Sequence, residues 1–75
     1  MPHDAQLTAI IEREGDGYGA LCPELDIASQ GRSVEEARTN LREAVELFFE
    51  AADPSEVERR LHTEVYVTRL DVARG

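Results

Sequence analysis

Residues 33–53, SVEEARTNLREAVELFFEAAD, leave little freedom in what this 75-residue chain can build. Ser33 followed by Glu36 is an S-x-x-E capping box, in which each side chain takes an amide of the other left unpaired at a helix start. At about 100° per residue with Leu41 as the centre, Val34, Ala37, Ala44, Val45, Phe48 and Ala52 fall within about 60° of it, while Glu35, Glu36, Thr39, Glu43, Glu46 and Glu50 fall on the far side. One face packs and the other is wet. Asp53-Pro54 ends the run, because a residue before proline is pushed out of helical geometry. Two residues widen the apolar arc: Leu47 lies about 120° from its centre and Phe49 about 80° on the other flank. Either the sheet edge or the C-terminal segment covers these flanks, or a subunit or partner surface does.

Ahead of the helix, residues 5–14 alternate, with Leu7, Ala9 and Ile11 on one face and Thr8, Ile10 and Glu12 on the other, which predicts a strand with one buried face. Ile10 breaks the polarity of the second face. Glu14-Gly15-Asp16-Gly17 is a turn with two glycines able to take positive φ, and residues 18–22 resume an extended pattern, so the two runs make a hairpin. Pro23, which donates no ladder hydrogen bond, stops the second strand. A short third strand over residues 25–30 reaches Gly31, whose missing Cβ suits the change of direction before Ser33. After the main helix, Asp53-Pro54-Ser55-Glu56 is a second helix start and predicts two turns over residues 54–60. Residues 63–72, with Thr63, Val65, Val67, Thr68 and Val72, predict a last strand. Its phase shifts: Val65 and Val67 share one face, and Tyr66, Leu70 and Val72 share the other. A bulge near Thr68 or a cover on both faces, the latter from a neighbouring subunit, accounts for this.

The expected architecture is α+β, in the order β-β-β-α-β: an antiparallel sheet with one long helix on one face and a short second helix before the last strand, forming one domain over residues 1–75. A chain this short buries only about 60% of its unfolded surface, so extra apolar burial in an oligomer would add stability.

Net charge is -8, from 16 acidic residues against 8 arginines and no lysine. That balance repels phosphate backbones, so no direct nucleic-acid binding is expected, and it favours a basic protein partner or serves solubility alone. Cys22 is the single cysteine, which excludes an intramolecular disulfide, and its apolar neighbours make it a buried thiol rather than a nucleophile. No run approaches a membrane span and no basic-then-apolar leader precedes the first strand, so the expected location is the cytosol. His3 and His62 have no ligand set at metal-binding spacing, and no phosphate-binding or nucleophile-elbow motif is present. The expectation is a non-enzyme with no cofactor and no metal.

The order of short motifs between Glu14 and Glu50 is more specific than any one of them. Gly15-Asp16-Gly17-Tyr18 is followed by Pro23-Glu24-Leu25, then Gln30-Gly31, then Ser33-x-Glu35-Glu36-Ala37 and Leu41. This order resembles the HicB family of antitoxins, whose N-terminal domain carries a Gly-Tyr hairpin, a Pro-Glu-Leu segment, a Gln-Gly pair and a Glu-Glu-Ala helix. The sequence departs from many relatives in having Asp26-Ile27-Ala28 where they carry Pro-Gly-Cys. The resemblance implies a β-β-β-α-β domain, related to a reduced RNase H-like core, that binds and masks a small basic RNA-cleaving toxin of the HicA type in a bacterial type II toxin-antitoxin system. Full-length relatives often add a C-terminal DNA-binding domain, for which 75 residues leave no room. Tyr18, Pro23, Glu24, Leu25, Asp26 and Gln30 read either as hairpin and turn geometry or as direct contacts with that partner. Leu47, Phe49, Val65, Tyr66 and Val67 are the candidate contacts of a homodimer or higher homo-oligomer. The alternative function is an orphan structural or regulatory oligomer without a toxin. An RNase H-like hydrolase would need clustered acidic ligands on its strands, which the pattern lacks.

Overall fold

In the computed structural model, which describes residues 6–75, three strands precede two helices: β1 (Ile10–Glu14), β2 (Gly17–Cys22), β3 (Ile27–Gly31), α1 (Val34–Ala51) and α2 (Pro54–Leu61). Residues 1–5, His3 among them, lie outside the described residues, and the strand expected over residues 5–14 forms only from Ile10, residues 6–9 belonging to no strand. The sheet is antiparallel in the order β1-β2-β3. Between β1 and β2, Gly15 takes φ +57° and Asp16 does not follow it to positive φ. A glycine at the first central position is what a two-residue II′ hairpin requires, so one glycine rather than two uses its freedom here.

Register decides which side chains face the helix. Ile11 pairs with Ala20, and Ala20 with Ser29, while Cys22 pairs with Ile27. Ala20 and Cys22 are buried under α1 with Ala37, Leu41 and the loop residue Leu25, and Leu7, Ile11, Tyr18, Ile27, Val45, Phe48 and Phe49 pack around them. Phe49 therefore contributes to the core margin, its ring 5.9 Å from that of Phe48. Leu47 lies on the outer side and is 64% exposed. Val34, placed by periodicity on the buried stripe, is also exposed: it is the first residue of α1, and burial under the helix begins at Ala37.

The helix start confirms half of the capping box and corrects the other half. The Ser33 hydroxyl accepts the Glu36 amide at 3.0 Å. The Glu36 carboxylate reaches back one residue further than the box requires and accepts the Arg32 amide at 2.7 Å. At the other end Ala52 turns to ψ 151°, and Asp53 begins α2 with Pro54 at its first position. Arg60 fastens α2 to the body: it donates to the Leu25 carbonyl at 2.5 Å and lies 5.0 Å over the Phe48 ring. Glu56 sits between Arg60 and Arg59, and the Arg60 hydrogen bond foremost holds its carboxyl below the usual range.

The expected fourth strand over residues 63–72 is not formed. Those residues belong to no ladder and all but Val65 are exposed. β-branched composition reports a preference for extended backbone, but a strand also needs an edge to exchange hydrogen bonds with, and this segment leaves the body instead of lying along one. The radius of gyration records it: 14.5 Å, against about 11 Å for a compact domain of this length.

Gly31 sets the distance between the layers. A Cβ there would stand 2.5 Å from the Ala37 nitrogen and 2.8 Å from the Glu36 carbonyl carbon, both backbone atoms. A Cβ at Gly19 would meet only the end of the Glu14 side chain, which is free to swing away. We expect Gly31→Ala to cost about 1–3 kcal/mol as overpacking, and Gly19→Ala to stay within about 0.5 kcal/mol. Urea midpoints at neutral pH compare them, and equal midpoints would remove the close-approach explanation.

Candidate protein-binding face

The sheet has one face under α1 and one that no described element covers. On the uncovered face, the pairing places Ile10, Leu21 and Ala28 in one row across the three strands and Glu12, Gly19 and Gln30 in the next. This explains why Ile10 departs from the polar alternation of β1: its row is apolar from edge to edge. Glu14 follows on the same face and its side chain lies over Gly19, where there is no Cβ to exclude it. The result is a shallow groove of ≈ 710 Å³ with an apolar end at Leu21 and an acidic end at Glu12 and Glu14. Both carboxylates are exposed and make no ion pair among the described residues. Such a surface can receive cationic groups over its acidic end and aliphatic groups over its apolar end.

The six motif residues do not converge on one site. Tyr18 stands at the hairpin end on the helix side of the sheet, half-buried, with the Arg13 guanidinium 5.5 Å from its ring. Gln30 lies on the uncovered face, and its carbonyl accepts from the Asn40 amide at 2.8 Å, which ties β3 to α1. Pro23, Glu24, Leu25 and Asp26 form the β2–β3 connection at the opposite end. Leu25 is fully buried and offers a partner no surface. Asp26 is exposed at φ 56°, a left-handed conformation that Asp tolerates better than most non-glycine residues.

Glu24 is spent internally. Its carboxylate accepts the Thr8 amide at 3.1 Å on each oxygen, the Thr8 hydroxyl at 2.6 Å and the Cys22 thiol at 3.6 Å. Burial pushes its pKa upward, but the Thr8 hydroxyl and the amides of Glu24 and Thr8 outweigh that, so the carboxyl lies below the usual range. Burial foremost raises the Cys22 thiol, which keeps it protonated and unreactive at neutral pH. Among the described residues no group of three or more His, Cys, Asp or Glu is placed to hold a metal ion, and no helix is long and apolar enough to cross a membrane. Sequence reasoning passed over Glu12, Glu14 and Leu21 because an exposed glutamate on a strand looks ordinary until the register shows that it borders an uncovered face. The one available signal was Ile10.

Comparison with known proteins gives relatives of one kind. The chain is 48% identical over 48 residues to a UPF0150 protein of Synechocystis sp., a match covering 61% of this chain and 67% of the relative. It is 46% identical over 43 residues to a UPF0150 protein of Helicobacter pylori, covering 56% of this chain and 60% of that one. A second UPF0150 protein of Synechocystis sp. is 48% identical over 46 residues, covering 59% of this chain and 58% of its own length. The chain thus spans less than two thirds of the latter two. No family model and no solved structure matches it.

The Glu24 cluster yields a pH-dependent test. A carboxyl whose pKa is lowered by folding contributes stability above its unfolded value of about 4.3, and loses it as pH falls through the lower folded value. Glu24→Gln should therefore cost about 1 kcal/mol at pH 7, the low end for a charged acceptor because the site is partly solvated. The gap should close as pH falls below about 4. Urea midpoints of the two proteins at a series of pH values measure this, and coincident midpoints at pH 7 would show that the Thr8 bonds do not contribute.

Proposed function

The chain belongs to the UPF0150 family, and from that premise we propose that it is an antitoxin that binds and masks a small basic RNA-cleaving toxin of the HicA type. The observation that carries this reading is the uncovered sheet face, where Glu12 and Glu14 stand exposed beside an apolar row and make no ion pair among the described residues, on a chain of net charge -8. A nuclease that grips RNA presents cations where the phosphates lie, and those cations are what an acidic, partly apolar surface recognises. Inhibition needs only occupation of the RNA-binding surface. The motif order from Gly15 to Leu41, which resembles HicB antitoxins, supports the same reading independently of charge.

Glu12 and Glu14 pair across the sheet with Gly19 and Gly17, so their replacement disturbs no packed side chain. The test co-expresses the chain with a small basic protein encoded beside it and measures both complex formation and RNA cleavage. We expect a complex that suppresses cleavage, and we expect Glu12→Lys with Glu14→Lys to slow association about tenfold at low salt, less at high salt. No complex with a neighbouring basic protein would refute the antitoxin role; a complex indifferent to both reversals would move the contact off this face.

A further inference from the structure

We propose that residues 63–72 form a strand only in a second copy of this chain, adding to the free edge of its β1 while the partner's segment returns the same contact.

The two edges of the sheet are unequal. α1 lies chiefly over β3, less over β2 and only marginally over β1, and Asn40 ties it to the β3 carbonyl of Gln30. Among the described residues β1 pairs with β2 alone, leaving the outward amides and carbonyls of Ile10–Glu14 without a strand. Next to residues 7–9, which lead into that edge, and against α1 lies a groove of ≈ 630 Å³ whose apolar lining includes Leu7, Ala9, Leu41, Val45 and Phe49. A strand laid along β1 and continuing past residues 7–9 would send alternate side chains toward this groove and the others beside the apolar row of Ile10, Leu21 and Ala28. That is the pattern of residues 63–72, whose apolar residues occupy both faces: Val65 and Val67 on one, Tyr66, Leu70 and Val72 on the other.

The segment's course selects a second copy as its source. Its first residues, Thr63 to Tyr66, rest near Gln6, Leu7 and Glu24. Beyond them it projects from the body: Tyr66, Val67, Leu70 and Val72 are 61–83% exposed, and the molecule measures 51 Å along one axis against 28 and 18 Å along the others. The six residues beyond Tyr66 reach about 20 Å when extended, long enough to cross onto a neighbour docked beside the body. Charge opposes the approach little, because the segment carries Glu64 and Asp71 against Arg69, with Arg74 just beyond it, in an otherwise acidic chain. Exchange by two-fold symmetry gives both copies a fourth strand and leaves neither segment exposed. This inference does not rest on the antitoxin reading, since it requires no other protein.

Sedimentation equilibrium of the full chain at micromolar concentration should return twice the 8.4 kDa chain mass. Val67→Glu with Leu70→Glu should weaken the dimer about 100-fold or more, with the helical circular dichroism retained. Leu47→Glu, on the outer face of α1, should leave it intact. Amide hydrogen exchange of the wild type should show protection at Ile10–Glu14 that falls on dilution together with the dimer. A wild-type mass of one chain overturns the proposal, as does a dimer indifferent to the double substitution, a dimer lost with Leu47→Glu, or concentration-independent exchange at β1.

Discussion

The contact on which the rest of the structure depends is the approach of two backbones at Gly31. Because that residue has no Cβ, the end of β3 lies directly against the first turn of α1. Ser33 and Glu36 then fix the amides at the helix start, so both the angle and the height at which α1 leaves the sheet are set within a few residues. Ala37 is completely buried at this point, and a larger side chain would reopen the same gap. Further along α1, Leu41 packs in one cluster with Cys22 and Leu25, and Val45 and Phe49 come beside Leu7 and Ala9, while contact with β1 itself is slight.

Carboxylates serve two opposite purposes in this chain. Glu24, Glu36 and Glu56 are taken up by amides, a threonine hydroxyl or arginines: Glu24 ties residue 8 to the β2–β3 connection, Glu36 closes the helix start, and Glu56 holds Arg60, which reaches the core from α2. Among the described residues Glu12 and Glu14 have no such partners, and both are exposed on the uncovered sheet face. Composition counts them alike. Their hydrogen bonds and the register of β1 against β2 separate the carboxylates that hold the fold from those exposed on the uncovered sheet face.

Much of this was legible beforehand where a local rule acts. The capping serine, the Pro23 stop, the Asp53-Pro54 break and the Gly15 turn each depend on neighbours within a few residues, and each appears in the expected place. The fourth strand failed because its formation depends on a partner edge, which β-branched residues do not specify. The motif residues from Tyr18 to Gln30 failed to converge for a related reason: adjacency along the chain became separation across the sheet, with Leu25 sent inward and Glu24 turned onto Thr8. Phe49, whose angle on the helical wheel places it off the stripe, reaches the core margin because α1 sits off-centre over the sheet.

Cys22 is 1% exposed, sealed between β2 and α1 beside Leu25. Its thiol meets solvent only when the packing around it opens, so its reaction with a small disulfide reagent is gated by that opening. As the single cysteine of the chain it reports on this one event without competing signals. The protein thus carries a native gauge of how often its core opens around this one position, readable from the rate of labelling with no residue changed.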